Sequence, residues 1–439
     1  METDFRIKSI GERGVKSPVK LSKVMDDFIA NYVDDKSCIH RTIIENRDQV
    51  DEDHVQKRLL ERAGPRERIF FEPEKVHAGV VTCGGLCPGL NDVIRAIVMG
   101  LWYRYGVKRI SGIRYGYKGL IREYGYQPAA LNPEVVLDIH RKGGTMLSSS
   151  RGGGDRVTEI VDTIERLGIN ILFTIGGDGT QKGALAISKE AVRRGINLSV
   201  TGVPKTIDND LSYIDKSFGF ETAVGKACDS IDAAHVEAKG AVNGIGVVKV
   251  MGRQSGFIAA HTALAINDVN YVLIPEVPFD LYGENGLLSH LKKRLDRRGH
   301  AVILIAEGAG QEMLESRGDK DPSGNPELGD IGVFISESIK SYFNKMDYHI
   351  NLKYIDPGYI IRGAPANPAD SLYCARLGTN AVHAAMAGKT QLLMSLFNNH
   401  YVHIPMEMAI SRKNMVDPES SMWRDVVEAT GQPALMKNS

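Results

Sequence analysis

The chain has 439 residues, of which 43% are hydrophobic and 25% are charged, a composition typical of globular proteins with a large core. Its 54 Lys and Arg residues balance 54 Asp and Glu residues, which argues against nucleic acid or an anionic membrane as a partner. No apolar run is long enough to span a membrane, and the first residues lack a signal peptide's apolar core. We therefore expect a cytoplasmic protein of about two domains.

Residues 1–75 differ from the rest in their charge density and in their lack of long apolar runs. The stretch 51–68 is heavily charged, with Leu59 and Leu60 as its main apolar residues. We expect an N-terminal extension that packs on the body of the protein or on another subunit.

From residue 76 onward, apolar runs rich in β-branched residues alternate with helical patterns. The runs are 78–82, 171–175, 198–203, 245–250, 271–274 and 301–306. Strands this apolar are buried on both faces, which predicts parallel sheets covered by helices and thus an α/β fold. A helical apolar stripe over 157–167 predicts a helix that ends at Gly168, and a similar stripe over 93–101 predicts one that ends by Gly106.

The chain has five cysteines, at positions 38, 83, 87, 228 and 374, and an odd number of scattered cysteines does not predict a disulfide framework. Cys83 and Cys87 are separated by three residues, but no second Cys or His pair completes a zinc site. We interpret them as small residues in a tight strand-to-helix turn.

Glycine-rich turns follow some of the predicted strands, where parallel α/β proteins bind ligands. Gly85 lies in the first turn, 83–91, where a phosphate could approach the backbone beside a helix N-terminus. A second stretch, 143–154, mixes hydroxyl groups and glycines with one cation, Arg151, which Gly152 follows. It could wrap a polyphosphate. The alternative for 83–91 is a tight turn without a ligand, and the alternative for 143–154 is a flexible surface linker.

The pentapeptide Gly-Gly-Asp-Gly-Thr follows the predicted strand 171–175. Gly176 and Gly177 would form a phosphate cradle, and Asp178 could ligate a Mg²⁺ ion shared with the donor phosphates. Gly179 leaves room for a phosphate, and Thr180 could cap the next helix and donate to the ligand. Taken alone, the motif is often only a turn.

The segment 204–210, Pro-Lys-Thr-Ile-Asp-Asn-Asp, follows the next strand. Asp208 is the candidate general base, Asp210 could join the metal site, and Thr206 could hold the transferring phosphoryl group. The alternative is an Asx-turn loop that satisfies its own backbone. Because Lys205 stands beside two aspartates, one strand–helix unit after another acidic turn, we favour phosphoryl transfer from a polyphosphate to an alcohol.

Three further polar groups follow apolar runs or lie in glycine-rich turns. Arg253 ends the tripeptide Met251-Gly252-Arg253, Glu307 follows the run that ends at residue 306, and Arg362 lies in a glycine-rich turn. A sugar phosphate needs cations for its phosphate and an acid for its hydroxyls. Each residue by itself could equally form a surface ion pair.

At these residues the chain resembles the phosphofructokinase family, over most of residues 76–389, because the motifs occur in the family's order. The motifs are 84–91, Arg151, 176–180, 204–210, 251–253, Glu307 and 359–362. The resemblance implies two Rossmann-like parallel-sheet domains, one binding ATP (76–220) and one binding a sugar phosphate (221–355). Residues 1–75 would be the extension, and residues 356–439 would return across both domains.

The resemblance also implies roles for the motif residues. The donor would be bound by Gly85, Arg151, Gly152, Gly176, Gly177, Asp178, Gly179 and Thr180, with Asp178 holding Mg²⁺. Fructose 6-phosphate would be bound by Thr206, Ile207, Asp208, Met251, Gly252, Arg253, Glu307, Lys353, Tyr359 and Arg362. Catalysis would involve Asp208 as the base, with Thr206 and Arg253. The implied reaction is the glycolytic transfer of the γ-phosphoryl group of ATP to the 1-hydroxyl of fructose 6-phosphate.

Two positions bear on the donor, because the family contains both ATP users and pyrophosphate users. Lys205 resembles the pyrophosphate enzymes, since typical bacterial ATP enzymes carry glycine there. Gly179 differs from them, because they carry an aspartate that would fill the space of the α-phosphate. The combination, like the long extension, resembles ATP-dependent enzymes of plants, trypanosomatids and some bacteria. We predict ATP as the donor, with pyrophosphate as the alternative.

Three positions depart from the typical bacterial ATP enzyme. Gly244 aligns with an arginine that a neighbouring subunit contributes there, Tyr359 replaces a histidine, and Lys353 replaces a phosphate-binding arginine. Lys353 is therefore a candidate ligand across subunits. The resemblance implies an allosteric homo-oligomer, a dimer or a tetramer, with residues 280–298 or the extension as contact surfaces.

Other classes of protein share parts of this pattern. Lipid and nicotinamide-dinucleotide kinases have a similar Gly-Gly-Asp-Gly turn but lack the second acidic segment. A dehydrogenase would need a Gly-x-Gly-x-x-Gly turn after a strand with a fitting acid, which the sequence lacks. A catalytically silent regulatory subunit is disfavoured because Asp178, Asp208 and Arg253 are all present.

Overall fold

The computed structural model describes residues 4–41, 59–314, 318 and 327–438, so part of the charged stretch 51–68 lies outside the described residues. The chain divides into two compact units. Unit 1 comprises residues 1–206, 211–219 and 364–413, and unit 2 comprises residues 207–210, 220–363 and 414–439. The domain boundaries expected from the sequence stay a prediction.

The helices and strands follow one another along the chain in the alternation expected of an α/β protein. The strands are β1 (Lys8–Ser9), β2 (Val15–Lys16), β3 (Cys38–His40), β4 (Leu59–Glu61), β5 (Arg68–Ile69), β6 (His77–Thr82), β7 (Arg109–Ile113), β8 (Ala129–Ala130), β9 (Ile171–Gly176), β10 (Ser199–Pro204), β11 (Gly244–Val250), β12 (Tyr271–Leu273), β13 (His300–Ala306), β14 (Asn351–Ile355), β15 (Lys389–Thr390), β16 (Leu392–Phe397) and β17 (His400–Pro405). The α-helices are α1 (Leu90–Met99), α2 (Val157–Leu167), α3 (Asp178–Arg193), α4 (Phe220–Lys239), α5 (Phe257–Ile266), α6 (Leu287–Arg298), α7 (Ile331–Asn344), α8 (Gly358–Gly363), α9 (Pro368–Met386), α10 (Met406–Ala409) and α11 (Ser421–Thr430).

The centre of unit 1 is a seven-stranded sheet of order β17-β16-β10-β9-β6-β7-β8. Strands β16, β10, β9, β6 and β7 are parallel, and the edge strands β17 and β8 are antiparallel to their neighbours. Every residue of β6, β9 and β10 is buried, as expected for strands covered on both faces. Helix α9 packs against α1, and α2 packs against α3. The carboxyl ends of the three central strands therefore lie side by side.

Unit 2 has a four-stranded parallel sheet of order β12-β13-β11-β14. Alternate residues of β11 face opposite sides of the sheet. Val248 and Val250 join the apolar cluster that contains residues of α4, α5 and α11, whereas Ile245 and Val247 join the cluster that contains residues of α6 and α7. The α/β class with two parallel-sheet units is thus confirmed.

The helix and strand predictions agree closely with the structure. Helix α2 ends at Gly168, whose φ of 66° is left-handed and whose N–H donates to the carbonyl oxygen of Ile164. Helix α1 continues as a π-helical turn, Gly100–Tyr105, which ends at Gly106 with a φ of 78°. Each predicted strand overlaps an observed one to within one or two residues at either end.

The described part of the N-terminal extension packs on the body of unit 1. Strand β1 pairs with β15, and the N–H of Ala63 donates to the carbonyl oxygen of Tyr401 at 2.8 Å. Phe5 and Leu60 are buried in the same apolar cluster as the central sheet. This is one of the two arrangements expected from the sequence.

The cysteines are all free, and Cys83 and Cys87 are buried in the turn after β6. Among the described residues there is no cluster of His, Cys, Asp and Glu side chains able to hold a metal by itself. No helix in the described part of the chain is both long enough and apolar enough to cross a membrane.

Candidate active site

In unit 1 the glycine turns lie at the carboxyl edge of the sheet, as predicted. The N–H of Cys83 donates to the carbonyl oxygen of Ile175 at 3.0 Å, and the N–H of Gly84 donates to the carbonyl oxygen of Ser150 at 2.9 Å. Backbone hydrogen bonds thus join the turn after β6 to the end of β9 and to the stretch that carries Arg151. Gly84 has a φ of 86°, a conformation that disfavours any residue with a Cβ atom.

Lys205 is buried at this edge and fixes two of the turns. Its Nζ donates to the carbonyl oxygen of Gly85 at 2.7 Å, and its backbone N–H donates to Gly176 at 3.0 Å. A Cβ atom on Gly84 would lie 3.2 Å from this ammonium. The cation that the sequence marks as relevant to the donor therefore lies at the glycine turns.

Helix α3 begins at Asp178, directly after the end of β9. A Cβ atom on Gly176 would lie 2.1 Å from Oγ1 of Thr180, and one on Gly177 would lie 3.2 Å from the carbonyl oxygen of Lys205. A Cβ atom on Gly179 would meet nothing within 4 Å. Gly176 is thus required by packing, whereas Gly179 borders open space at a helix N-terminus, where an anion is favoured.

The prediction that Thr180 caps this helix is wrong. The cap position is Gly177, without a side-chain hydrogen bond, and Thr180 lies buried inside the first turn. With Thr180 as the cap the helix would start at residue 181, but it starts three residues earlier, at Asp178.

Asp178 is partly exposed at the start of α3, and its Oδ2 pairs with Nζ of Lys182 at 2.9 Å. Mg²⁺ is usually held by one or two carboxylates together with substrate phosphates and water, and not by a cage of protein ligands. A single carboxylate beside an open helix N-terminus fits that donor set. Asp178 would hold the ion.

Arg151 is exposed, and its Nη2 lies 3.9 Å from the position of a Cβ atom on Gly85. Gly152 follows with a left-handed φ of 78°. The guanidinium is therefore brought to the same turn that Lys205 contacts, so two cations lie at the predicted phosphate cradle.

Sequence reasoning missed two buried polar residues that support this edge. Nε2 of Gln181 donates to the carbonyl oxygen of Gly176 at 2.9 Å, and the hydroxyl of Tyr117 donates to the carbonyl oxygen of Thr180 at 2.7 Å. A glutamine on the inner face of an amphipathic helix is a visible signal for the first residue. The tyrosine, which lies in a short helical turn, has no such signal.

In unit 2, two of the segments predicted to bind the sugar phosphate, 251–253 and Glu307, follow the ends of β11 and β13. Val250 pairs with Ala306 in register, and the N–H of Glu307 donates to the carbonyl oxygen of Val250 at 2.9 Å. Gly252 has a φ of 132°. The Met251 side chain is buried in the apolar core.

Among the described residues of unit 2, Asp208 is a buried acid with a strongly raised pKa. Burial raises its pKa to about 7, helped by the charges of Asp210 and Glu307 and opposed by the Arg253 backbone N–H and the Arg362 charge. Among the described residues its Oδ1 has no hydrogen-bond partner. A buried carboxylate with a pKa near neutrality and an unsatisfied oxygen is suited to accept a proton.

Arg362 and Glu307 lie together, with Nη2 and Oε2 4.0 Å apart and both side chains about one-third exposed. Because both residues act on the pKa of Asp208, the acid, the base candidate and the cation form one cluster. Unit 2 thus brings together Asp208, Arg253, Glu307 and Arg362. Ile207 packs beside them, against the unit's apolar core.

Two other predicted residues occupy exposed positions of unit 2. Lys353 is exposed in the middle of the edge strand β14, where it pairs with Gly246, two residues before the last residue of the strand. Tyr359 is 88% exposed on α8. A Cβ atom on Gly244 would lie 2.1 Å from a carbonyl oxygen of Ala238, so no arginine could stand there without a backbone shift.

Comparison with known proteins agrees with this architecture. Residues 77–385 match the family described as "Phosphofructokinase". The chain is 53% identical to an "ATP-dependent 6-phosphofructokinase" of Borreliella burgdorferi, over 99% of this chain and 98% of that protein. It is 51% identical to "ATP-dependent 6-phosphofructokinase 5, chloroplastic" of Arabidopsis thaliana, over 85% of this chain and 69% of the relative. The chain belongs to the phosphofructokinase family.

A solved structure also shares the fold. The pyrophosphate-dependent phosphofructokinase of Marinobacter aquaeolei has a TM-score of 0.66 and 20% identity, over 82% of this chain and 96% of that one. At this identity the likeness concerns the fold alone.

Proposed function

We propose that the chain is an ATP-dependent 6-phosphofructokinase of glycolysis. The full-length relatives at about half identity carry that name, and the open space at Gly179 agrees with a nucleotide donor. The observation that carries the chemistry is Asp208, a buried carboxylate whose pKa is raised to about 7.

The acceptor is fructose 6-phosphate, and Asp208 takes the proton of its 1-hydroxyl as that oxygen attacks the γ-phosphorus of ATP. The bond from the γ-phosphorus to the bridging oxygen breaks, and ADP leaves. Thr206 holds the transferring group, and Arg253 acts beside Asp208. Asp178 would hold a Mg²⁺ ion, which would supply positive charge to neutralise the donor phosphates.

The donor is held by residues of unit 1. The glycines at 85, 152, 176, 177 and 179 leave the backbone accessible to phosphate oxygens. Thr180 lies in the same turn of helix, and Arg151 supplies a cation at the cradle. Lys205, with Gly179, sets the choice of donor.

The sugar phosphate is held by residues of unit 2. Arg253 and Arg362 are the cations for its phosphate, and Glu307 accepts hydrogen bonds from its hydroxyls. Ile207, Met251 and Gly252 shape the surroundings, and Tyr359 reaches the ligand from α8. Lys353 contributes across subunits of a homo-oligomer, a dimer or tetramer in contact through residues 280–298 or the extension. The enzyme works in the cytoplasm.

The test is the formation of fructose 1,6-bisphosphate from fructose 6-phosphate and Mg²⁺, with ATP and pyrophosphate compared at equal concentration. We expect turnover with ATP and none above background with pyrophosphate. Turnover with pyrophosphate alone would mean that Lys205 outweighs Gly179 in donor choice. Absence of turnover with both would favour a different acceptor or a silent subunit. The role of Lys353 is tested by Lys353→Ala, which should raise the KM for fructose 6-phosphate.

A further inference from the structure

A lysine interrupts the apolar pattern of the central strand of unit 2. On one face of β11, Ile245 and Val247 join the apolar cluster that includes α7, and the next residue on that face is Lys249. Its side chain is 14% exposed. A lysine this buried needs charged partners to offset the loss of hydration.

Lys249 has two such partners on different elements. Its Nζ lies 3.0 Å from Oδ2 of Asp330, the residue that caps α7, and 3.0 Å from Oδ2 of Asp356, which follows β14. Tyr354 also donates to Oδ1 of Asp330 at 3.1 Å. One ammonium thus joins the end of β11, the start of α7 and the end of β14.

Asp356 contacts both Lys249 and the first residue of the next helix, α8. While its Oδ2 contacts Lys249, its Oδ1 accepts the N–H of Gly358 at 2.9 Å. Gly358 begins α8, the six-residue helix that bears Tyr359 and Arg362. Because both oxygens of Asp356 are used, the side chain is held in one orientation, and the start of α8 is held with it.

Lys249 is also close in sequence to the other half of the cluster. It precedes Met251 by two residues and Arg253 by four, and it lies on the strand whose end the tripeptide follows. From these contacts we infer that Lys249 is a positioning residue for the sugar-phosphate site. Through Asp356 it sets the place of Arg362 relative to the strand that leads to Arg253.

This inference rests on the proposed function only for its kinetic readout. Lys249→Met removes the charge and keeps the chain length. It should raise the KM for fructose 6-phosphate by roughly tenfold, with kcat within about threefold and the KM for ATP unchanged. Lys249→Arg keeps a cation and should recover part of the affinity. A folded Lys249→Met variant with an unchanged sugar-phosphate KM would overturn the inference.

Lys292→Met is the matched control. Lys292 pairs with Asp296 at 2.7 Å on α6, so this variant also removes a lysine–aspartate contact from unit 2, but an exposed one. We expect no change in either KM.

Two aspartate variants separate positioning from general loosening of the unit. Asp356→Asn keeps an oxygen that can accept the Gly358 N–H, and Asp330→Asn keeps an oxygen that can cap α7. Each variant therefore removes only the negative charge that faces Lys249. The inference requires a larger rise of the sugar-phosphate KM in Asp356→Asn, because only Asp356 contacts α8. Equal effects would overturn it. These variants also serve if Lys249→Met does not fold.

A readout without turnover keeps this inference distinct from the proposed function. In the protein without substrate, Lys249→Met should speed amide hydrogen exchange over 358–362, while Lys292→Met should not. If the wild type does not turn over but exchange rises, the proposed function fails and the positioning role stands. If exchange over 358–362 is unchanged, the positioning role fails.

Discussion

The ammonium of Lys205 donates a hydrogen bond to the carbonyl oxygen of Gly85 at 2.7 Å, which fixes two turns 120 positions apart in the chain. Lys205→Met removes the donor and leaves that carbonyl oxygen without this partner. A lost buried hydrogen bond costs about 1–3 kcal/mol, so we expect the KM for ATP to rise about tenfold or more. Initial rates at varied ATP concentration measure this.

The control for this variant is Lys189→Met on α3 of unit 1, where the lysine forms an exposed pair with Glu407. It should leave the KM for ATP unchanged. If Lys205→Met also left it unchanged, the Gly85 turn would not contribute to donor binding.

Gly179 is predicted to select the donor, and its open surroundings allow a side chain to be added there without a steric clash. Nothing lies within 4 Å of a Cβ atom there, and an acid in the first turn of a helix is favoured by the dipole. Gly179→Asp should therefore fold normally, yet lower turnover with ATP by about 100-fold through repulsion of the α-phosphate. The melting temperature and the ATP-dependent rate are measured together.

The matched control is Gly225→Asp on α4, where an added Cβ atom also meets nothing within 4 Å. It adds the same charge to a helix of unit 2 that contains none of the predicted donor residues. Equal loss of ATP turnover in both variants would contradict a specific role of Gly179.

Asp208 is the candidate base, and its removal should affect the chemical step. General-base catalysis contributes roughly 10²–10⁴-fold, so Asp208→Asn should lose about that much kcat with a smaller change in the KM for fructose 6-phosphate. Steady-state kinetics at pH 8 separate the two parameters. A kcat near that of the wild type would remove Asp208 from this role.

The raised pKa of Asp208 also predicts a pH dependence of both rate and stability. The base must be ionised, so kcat should fall as the pH drops below about 7. The sign for stability is opposite. The carboxyl keeps its proton up to a higher pH in the folded state than in the unfolded state. Its contribution to stability is therefore fully present below about pH 3.8 and is lost as the pH rises through about 7. As the pH rises from 5 to 8, the free energy of unfolding of Asp208→Asn should therefore increase relative to that of the wild type, because only the wild type loses this contribution. Melting curves across that range test the sign.

The central strands and the order of the site motifs were predictable because both depend on local signals. The fully buried runs that became β6, β9 and β10 are apolar throughout, and the left-handed Gly168 marks the end of α2. Asp178 and Arg253 lie in turns that follow strands of two different sheets. Each position follows from the rule that the parallel strands of a sheet present their carboxyl ends at one edge of that sheet.

Other features could not be predicted because their partners are distant in sequence. The two- and three-residue strands of the extension are too short to show a period, and the burial of Phe5 depends on a core formed by later residues. Lys249 looks like a solvent-facing residue until Asp330 and Asp356 are placed beside it. The hairpin of β16 and β17 was missed although it had a signal, since Asn398 and Asn399, both with positive φ, form its turn.

Glu61 joins the extension to the body of unit 1 through buried charges. Its Oε1 accepts from Nδ1 of His403 at 2.9 Å and from Nη2 of Arg66 at 3.0 Å, and its Oε2 contacts Nζ of Lys389 at 3.0 Å. Burial by itself would raise the pKa of Glu61, but the His403 hydrogen bond and the Lys389 contacts outweigh it and lower the pKa to about 2. Its stabilising contribution is therefore present above about pH 4.5 and is lost as the pH falls toward 2.

Glu61→Gln should destabilise the folded chain at pH 7 by about 3–5 kcal/mol, because Arg66 and Lys389 stay buried without this anion. Urea unfolding at pH 7 and at pH 3 measures the free energy of unfolding, and the gap between variant and wild type should narrow at the lower pH. Glu407→Gln, which removes an exposed acid paired with Lys189, should change little at either pH. A gap that stayed constant from pH 7 to pH 3 would show that the charge of Glu61 does not hold the extension in place.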